Sequence, residues 1–261
     1  MFKKFIIIII TTLALTLNVG ASSDGELLLK KNNPTEIKDC SEGFNRASFA
    51  FNKGLDKVIF KPVANVYKKL PIPIKSGVSN SLDNLSNLVT IPNNLIQGDL
   101  DLVVQNTGRF IVNTTVGILG FIDVASKIGF LEYVKEDYGQ SLATYGVGPG
   151  CYLVLPVLGP KTARDTVASI TNFVGGDAWY NVTVREDTQY VSDFDYYFSK
   201  ASSGVDFRAK NFDSIENLEE NSIDFYASVK SLYLQDRQQK ILNAKAVIET
   251  QNDNDWEEIE N

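Results

Sequence analysis

The stretch Tyr145–Asp165, YGVGPGCYLVLPVLGPKTARD, sets the tightest limit on the fold, because it places glycines and prolines inside the most apolar part of the chain beyond its first residues. Eight of the eighteen glycines, at 117, 120, 129, 139, 146, 148, 150 and 159, fall between residues 116 and 160. A long helix cannot cross such a region, since glycine costs about 1 kcal/mol relative to alanine in a helix interior and proline about 3. Tyr145-Gly-Val-Gly-Pro-Gly followed by YLVLPVLGP reads as a hairpin whose arms are apolar on both sides. It is not a phosphate loop, because no strand-loop-helix context with a following lysine and hydroxyl residue surrounds GVGPG. Gly117 and Gly120 stand three apart in an apolar stretch, a spacing that suits close backbone approach or a turn.

Around this region the periodicity is helical. Phe44, Ala47, Ser48, Phe51, Leu55 and Val58 share one helical face. That stripe reads as core-facing, with Ser41 as cap, Glu42 in the first turn, and an end or kink at Lys61-Pro62. Pro71 and Pro73 predict an extended turn. Val78, Leu82, Leu85 and Val89 then predict a second amphipathic helix, broken at Pro92. Gly98-Asp99 punctuates again, with Asp99 a natural cap for a third helix lined by Leu100, Val103, Val104, Thr107, Ile111 and Thr114. Each of these helices is expected to be short and to end at a breaker. Residues 166–240 return to helical spacing with many aromatic rings, and SIDFYASVKSLYLQDRQQKIL is a clear helix. From Glu249 on there are six acids and no base, which reads as a solvated, disordered tail.

The 261 residues allow one large domain or two small ones. A formal charge of −7 argues against a nucleic-acid binder, which needs a basic surface. The chain has no histidine, so Ser-His and Cys-His catalysis and most zinc sites are excluded. MFKKFIIIIITTLALTLNVGASS has the build of a cleavable signal peptide over residues 1–21, with Lys3 and Lys4 ahead of an apolar run and Val19 and Ala21 before Ser22. Residues 22–40 follow as a linker, 41–240 as one helical domain, and 241–261 as the acidic tail. The best mature candidate for a spanning helix, Val116–Ala125, is about half the length needed and contains Asp123, so a membrane-bound form would lie in the bilayer without crossing it. In an oxidising compartment Cys40 and Cys151 can close into a disulfide contributing about 4 kcal/mol. They can equally remain two buried thiols.

EGFNR (Glu42–Arg46), NTTVGILGFIDVA (Asn113–Ala125), YGQSLATYGVGPGCYLVLPVLGPKTARD (Tyr138–Asp165) and DFYASVKSLYLQDR (Asp224–Arg237) together resemble the VacJ/MlaA family of outer-membrane proteins. The resemblance spans nearly the whole expected mature chain in the family's order. It implies a mainly α fold: a ring-like helical domain of short amphipathic helices with a Gly/Pro-rich hairpin, embedded in the inner leaflet of the outer membrane. It implies an amphipathic channel that carries misplaced phospholipids to a soluble periplasmic carrier, association with a trimeric porin, no cofactor, no metal and no chemistry on the lipid. The chain departs from the pattern in lacking a lipobox cysteine, in having Cys40 and Cys151 where the family has prolines, and in Lys161 where serine is usual. The paired replacements by cysteine make a Cys40–Cys151 disulfide more attractive.

Under this resemblance the channel candidates are Asn113, Thr114, Thr115, Gly117, Gly120, Asp123, Tyr145, Gly146, Gly148 and Tyr152. Local readings stand beside these: Asp123 as the cap of VASKIG, and Asn113 and Thr115 satisfying a helix end. Arg46, Arg109 and Arg164 could meet phosphate oxygens, although an intramolecular carboxylate is the simpler partner for Arg46 and Arg164. Two other functions fit a chain of this composition. One is an exported envelope hydrolase using carboxylates such as Asp123 and Asp165; the other is a porin-bound structural adaptor.

Overall fold

The computed structural model describes residues 37–172, 177–184 and 191–257, with side chains as far as 242. The expected signal peptide and all but the last residues of the linker lie outside the described residues. Helix α1 (Glu42–Leu55) passes through a π-helical turn (Asp56–Phe60) into α2 (Lys61–Lys68). Then follow α3 (Ile72–Gln97), α4 (Leu100–Thr115), the single turn α5 (Val124–Lys127) and α6 (Tyr138–Thr144). The hairpin β1 (Tyr152–Leu155) and β2 (Gly159–Thr162) leads into α7 (Ala163–Thr171) and α8 (Ala178–Thr183). The chain ends with α9 (Asp193–Lys210), α10 (Phe212–Asn221) and α11 (Phe225–Glu257). The fold is mainly helical, and among the described residues no helix is long and apolar enough to cross a membrane.

Several breakers act differently from the sequence expectation. Ser41 precedes α1 without a side-chain capping bond. Pro62 falls in the first turn of α2, just after the π-helical turn, where a missing donor costs little, so the helical path continues through Lys61-Pro62. Pro73 sits in the first turn of α3 for the same reason. Pro92 lies inside α3, which runs on to 26 residues instead of ending there. Amide bonds to α4 bracket that proline and hold the two helices together: Asn84 donates to Thr114 Oγ1 at 2.9 Å, and Asn106 to Asn94 Oδ1 at 2.9 Å. Gly98 then closes α3 in the left-handed region, and Asp99 caps α4 by accepting from Leu102 N at 2.9 Å. At the C-terminus α11 continues to Glu257, where a disordered tail from 241 was expected. The whole of α11 contains no glycine or proline to interrupt it.

The larger correction concerns which face is inside. The stripe of α1 was expected to face a core, yet Phe44, Phe51 and Val58 are exposed, as are Leu100, Val104 and Ile111 of α4. Their polar neighbours are buried instead. Among the described residues, 24 polar or charged side chains are buried against 13 hydrophobic ones. The buried polar groups are tolerated because they bond to one another and to the backbone. Asn45 shows how: its amide donates to Tyr152 O at 3.0 Å and to Asp39 Oδ1 at 2.6 Å, and its oxygen accepts from Val154 N at 2.8 Å. Two turns later Asn52 repeats the pattern, donating to Leu155 O at 2.9 Å and accepting from Val157 N at 2.7 Å. The two asparagines pair with the free edge of β1 as a neighbouring strand would.

The hairpin also differs from its expectation. Its strands begin at Tyr152, after the GVGPG segment, and pair antiparallel with Tyr152 opposite Thr162 and Leu155 opposite Gly159. The tip is Pro156-Val157-Leu158, not the glycine run. Only one face of β1 is exposed to choice, since Tyr152 and Val154 point into a small core with Tyr226 and Leu234 of α11. A second small core joins Val89, Trp179, Val184 and Tyr196, with Trp179 and Tyr196 edge to face at 5.1 Å. Cys40 and Cys151 form a disulfide with Cα atoms 5.6 Å apart, tying the chain ahead of α1 to the entry of β1. Cys40 is exposed, so the alternative of two buried thiols does not describe it.

A charged cluster fixes α11 to α6 and α7. Arg237 meets both oxygens of Asp137 at 2.7 Å, both oxygens of Asp165 at 2.8 and 3.0 Å, and Gln140 Oε1 at 2.8 Å. Tyr233 donates to Asp165 Oδ2 at 2.7 Å, and Arg164 adds a bond at 3.2 Å. Burial opposes ionisation of Asp165, but Arg237 and Arg164 outweigh it and hold its carboxyl at about 2.

Candidate functional site

The polar face of α3 organises the interior. Lys75, Ser79, Asn80, Asp83, Asn84 and Asn87 recur every one to four residues along one side of the helix. From α4 come Asn106, Arg109 and Asn113, which are also buried. Between these helices and the segment 123–133 lies a cavity of about 220 Å³, whose wall includes Asn80, Asn87, Arg109, Asn113, Asp123 and Tyr133.

One end of this wall is rigid. Asp123 caps α5 by accepting from Ser126 N at 3.2 Å, and it also accepts from Asn113 Nδ2 at 3.0 Å and Arg109 Nη2 at 2.9 Å. Burial alone would raise its pKa. The bonds from Ser126 and Asn113, with the Arg109 charge, overcome that and hold it at about 2. Arg109 further donates to Leu131 O at 2.6 Å and Ser126 Oγ at 3.0 Å. Asn113 Oδ1 accepts from Ala125 N at 2.9 Å.

The preceding turn, Val116–Ile122, explains its two glycines. A Cβ on Gly117 would stand 2.2 Å from Ile122 O and 2.5 Å from Asn113 O, and one on Gly120 2.5 Å from Asn84 Cβ. Both alternatives for this pair therefore apply, a turn made by close backbone approach. Ile118 and Leu119 adopt left-handed backbone at φ 55° and 56°, a strain of roughly 1–2 kcal/mol per residue. Their side chains are 65% and 71% exposed.

A second cavity of about 310 Å³ adjoins the first through Asn80 and is lined by Lys68, Lys75, Lys210, Ser76 and Asp206. Lys68 pairs with Asp213 at 2.6 Å, Lys210 with Asp206 at 2.9 Å, and Lys75 donates to Lys68 O at 3.0 Å. The polar face of α3 thus passes from a lysine-bearing cavity to one with more acids. Asp83 and Glu132 line the acidic cavity and both are exposed to solvent. Tyr133, two residues before Lys135 on the extended segment, shares a hydrogen bond with Thr90 Oγ1 at 2.9 Å. Surrounding protein strips water from Asp83 and raises its pKa; it lowers that of Lys135, with repulsion from Lys200 adding to the effect. Both residues nonetheless remain exposed.

Residues 37–240 match the family described as MlaA lipoprotein. The chain belongs to this family. It is 32% identical over 216 residues to the intermembrane phospholipid transport system lipoprotein MlaA of Haemophilus influenzae, covering 82% of this chain and 83% of that one. The Escherichia coli lipoprotein of the same description is 32% identical over 230 residues, 85% and 84% of the two chains. An uncharacterised protein of Rickettsia prowazekii is 36% identical over 218 residues, 83% of this chain and 80% of that one. A solved structure described as the "structural basis for maintenance of bacterial outer membrane lipid asymmetry" superposes with a TM-score of 0.65 at 31% identity, covering 78% of this chain and 99% of that one.

The sequence candidates divide into two groups in the MlaA fold. Asn113 and Asp123 are in the cavity wall, Thr114 and Gly120 abut Asn84 behind it, and Gly117 shapes the adjoining turn. Thr115 is exposed and donates back to Ile111 O at 2.7 Å. Tyr145, Gly146 and Gly148 belong to a separate loop, where Tyr145 is exposed and its hydroxyl bonds Ile96 O. Tyr152 is fully buried among aromatic rings, so it is a core residue and does not line a passage. Arg46, Arg109 and Arg164 all have carboxylate partners. Sequence reading passed over Asn80, Asp83, Asn84, Asn87, Glu132 and Tyr133. The signal for the α3 residues was present in their helical spacing, opposite the apolar stripe that drew attention.

Proposed function

We propose that this MlaA-family chain removes misplaced phospholipids from the outer leaflet of the outer membrane and delivers them to a soluble periplasmic carrier. It sits in the inner leaflet, beside a trimeric porin, and the lipid headgroup moves along the polar face of α3. The observation that carries this reading is the inverted distribution of side chains. Polar residues are buried and bonded inside, while phenylalanine, isoleucine, valine and leucine side chains face out. In water each such side chain left exposed forgoes about 1.5–3 kcal/mol of burial; in a leaflet the same faces are solvated by acyl chains. The strained tip at Ile118-Leu119 adds an apolar wedge to that surface. The names of the relatives from Haemophilus influenzae and Escherichia coli support phospholipid transport, and the described subject of the matched structure supports an outer-membrane setting.

The carboxylates proposed for a hydrolase are poorly suited to act as bases. Asp123 and Asp165 are each held at about 2 and engaged by arginine. The test is complementation. The chain is expressed in a bacterium lacking its own family member, and phospholipid in the outer leaflet is quantified. Clearance of that lipid is expected. Persistence of the lipid, with the chain correctly placed at the outer membrane, refutes the proposal.

A further inference from the structure

We propose that the interior wall selects phospholipids whose headgroup carries both a phosphate and a primary ammonium, the phosphoethanolamine class, over headgroups that are anionic only. This rests on the transport reading above and names the substrate that the same wall prefers. Asp83 lines the acidic cavity, while Lys75 and Lys210 line the cavity that adjoins it through Asn80. Among the described residues Asp83 has no ion-pair partner within 4 Å. Glu132 is likewise unpaired and lines the same cavity as Asp83. Asn84 and Asn87 stand beside Asp83 on the wall, 4% and 2% exposed, and each keeps a side-chain oxygen without a hydrogen-bond partner.

The chemistry of this set is directional. Two carboxylates and two amide oxygens only accept hydrogen bonds, so they match an R–NH₃⁺ group, which has three donors and no acceptor. Lys75 and Lys210 in the adjoining cavity offer ammonium groups to a phosphate. A zwitterion satisfies both ends at once. Phosphoglycerol satisfies the lysines but brings a net negative charge toward Asp83 and Glu132. A trimethylated ammonium keeps its charge but has no N–H to give the amide oxygens, so it ranks between the two.

The experiment is native mass spectrometry of the full chain purified from mixed micelles of equal phosphatidylethanolamine, phosphatidylcholine and phosphatidylglycerol at pH 7. Wild type is expected to retain phosphatidylethanolamine over phosphatidylglycerol by about threefold to tenfold, the net scale of one ordinary hydrogen bond. Phosphatidylcholine should fall between them. Asp83→Asn with Glu132→Gln should bring the ratio near one without lowering total lipid. Lys210→Gln should lower retention of all three lipids together. All three positions are solvent-exposed, so folding is not at stake. Retained lipid that mirrors the micelle composition overturns the inference, as does an unchanged ratio in the double carboxylate variant. If the wild-type chain also restores lipid asymmetry in cells, the transport reading stands while the selectivity fails. If it binds no lipid and restores nothing, both fall.

Discussion

Replacing Arg237 with methionine tests the charged cluster that holds α11 in place. The side chain makes five hydrogen bonds, four of them to the carboxylates of Asp137 and Asp165. Methionine fills much of the volume and removes all five. Deleting one partner of a buried ion pair costs roughly 3–5 kcal/mol, because the remaining charge is left uncompensated. Asp165 would keep Arg164 and Tyr233, and Asp137 keeps 41% of its side-chain surface, so the lower end, about 3 kcal/mol, applies. At about 2–4 °C per kcal/mol for a chain of this size, the melting temperature in detergent at pH 7 should fall by about 6–12 °C. Arg237→Lys retains the charge without the two-pronged geometry and should melt between the two. Neutralising the set, with Asp137→Asn and Asp165→Asn added to Arg237→Met, should recover part of the loss. Circular dichroism of the four proteins decides the matter. An Arg237→Met protein that melts within 2 °C of wild type refutes the reasoning, as does a triple variant no more stable than the single one.

Cys40→Ser should lower stability by about 4–5 kcal/mol on the loop-entropy scale for a bridge that spans 111 residues, checked by denaturant unfolding with and without reductant. Wild type should lose the same increment on reduction and the variant nothing further. Asn45→Ala leaves Tyr152 O and Val154 N without their side-chain partner and should cost about 2–3 kcal/mol, read from the same unfolding midpoint. Acid should weaken the fold in a defined window. Asp123 and Asp165 sit at about 2 when folded against 3.8 as the ordinary value, so their stabilisation is present above pH 3.8 and lost as pH falls toward 2. The loss is about 2 kcal/mol per group, and an acid titration of the melting temperature that stays flat through this window would contradict it. Ile118→Asp places a charge on the exposed apolar turn and should release protein from phospholipid vesicles in a flotation assay without lowering its melting temperature.

Much of the chain's local order was legible in its letters. Asp99 and Asp123 were visible as caps because the geometry of capping is contained within four residues. The helical character of nearly every segment followed from the 3.6-residue period. The orientation of those helices was not legible, because periodicity identifies two faces without saying which solvent each will meet. Phe44, Phe51 and Val58 mark a stripe equally well whether it packs inward or outward. The persistence of α3 through Pro92 was also hidden, since it depends on amide contacts with α4 that join residues 12 and 30 positions apart. The wall residues Asn84 and Asn87 were overlooked for a related reason: asparagine is usually a surface or turn residue, and its burial here is licensed only by partners from another helix. The cysteine pair gained weight from a family comparison of two positions, and the fold then brought their Cα atoms to 5.6 Å.

The outward-facing apolar side chains carry a thermodynamic consequence. Unfolding heat capacity arises chiefly from apolar surface newly exposed to water, and polar surface contributes with the opposite sign. A fold that keeps its hydrophobic groups outside and its amides inside releases little of the first and much of the second. In detergent or bilayer its calorimetric step should therefore be well below the roughly 12–15 cal/mol/K per residue of water-soluble domains. Its stability curve should be correspondingly flat, so that cooling neither strengthens nor weakens the fold by much. A protein built this way draws its resistance to temperature from paired charges and amides, and its address from the grease it leaves uncovered.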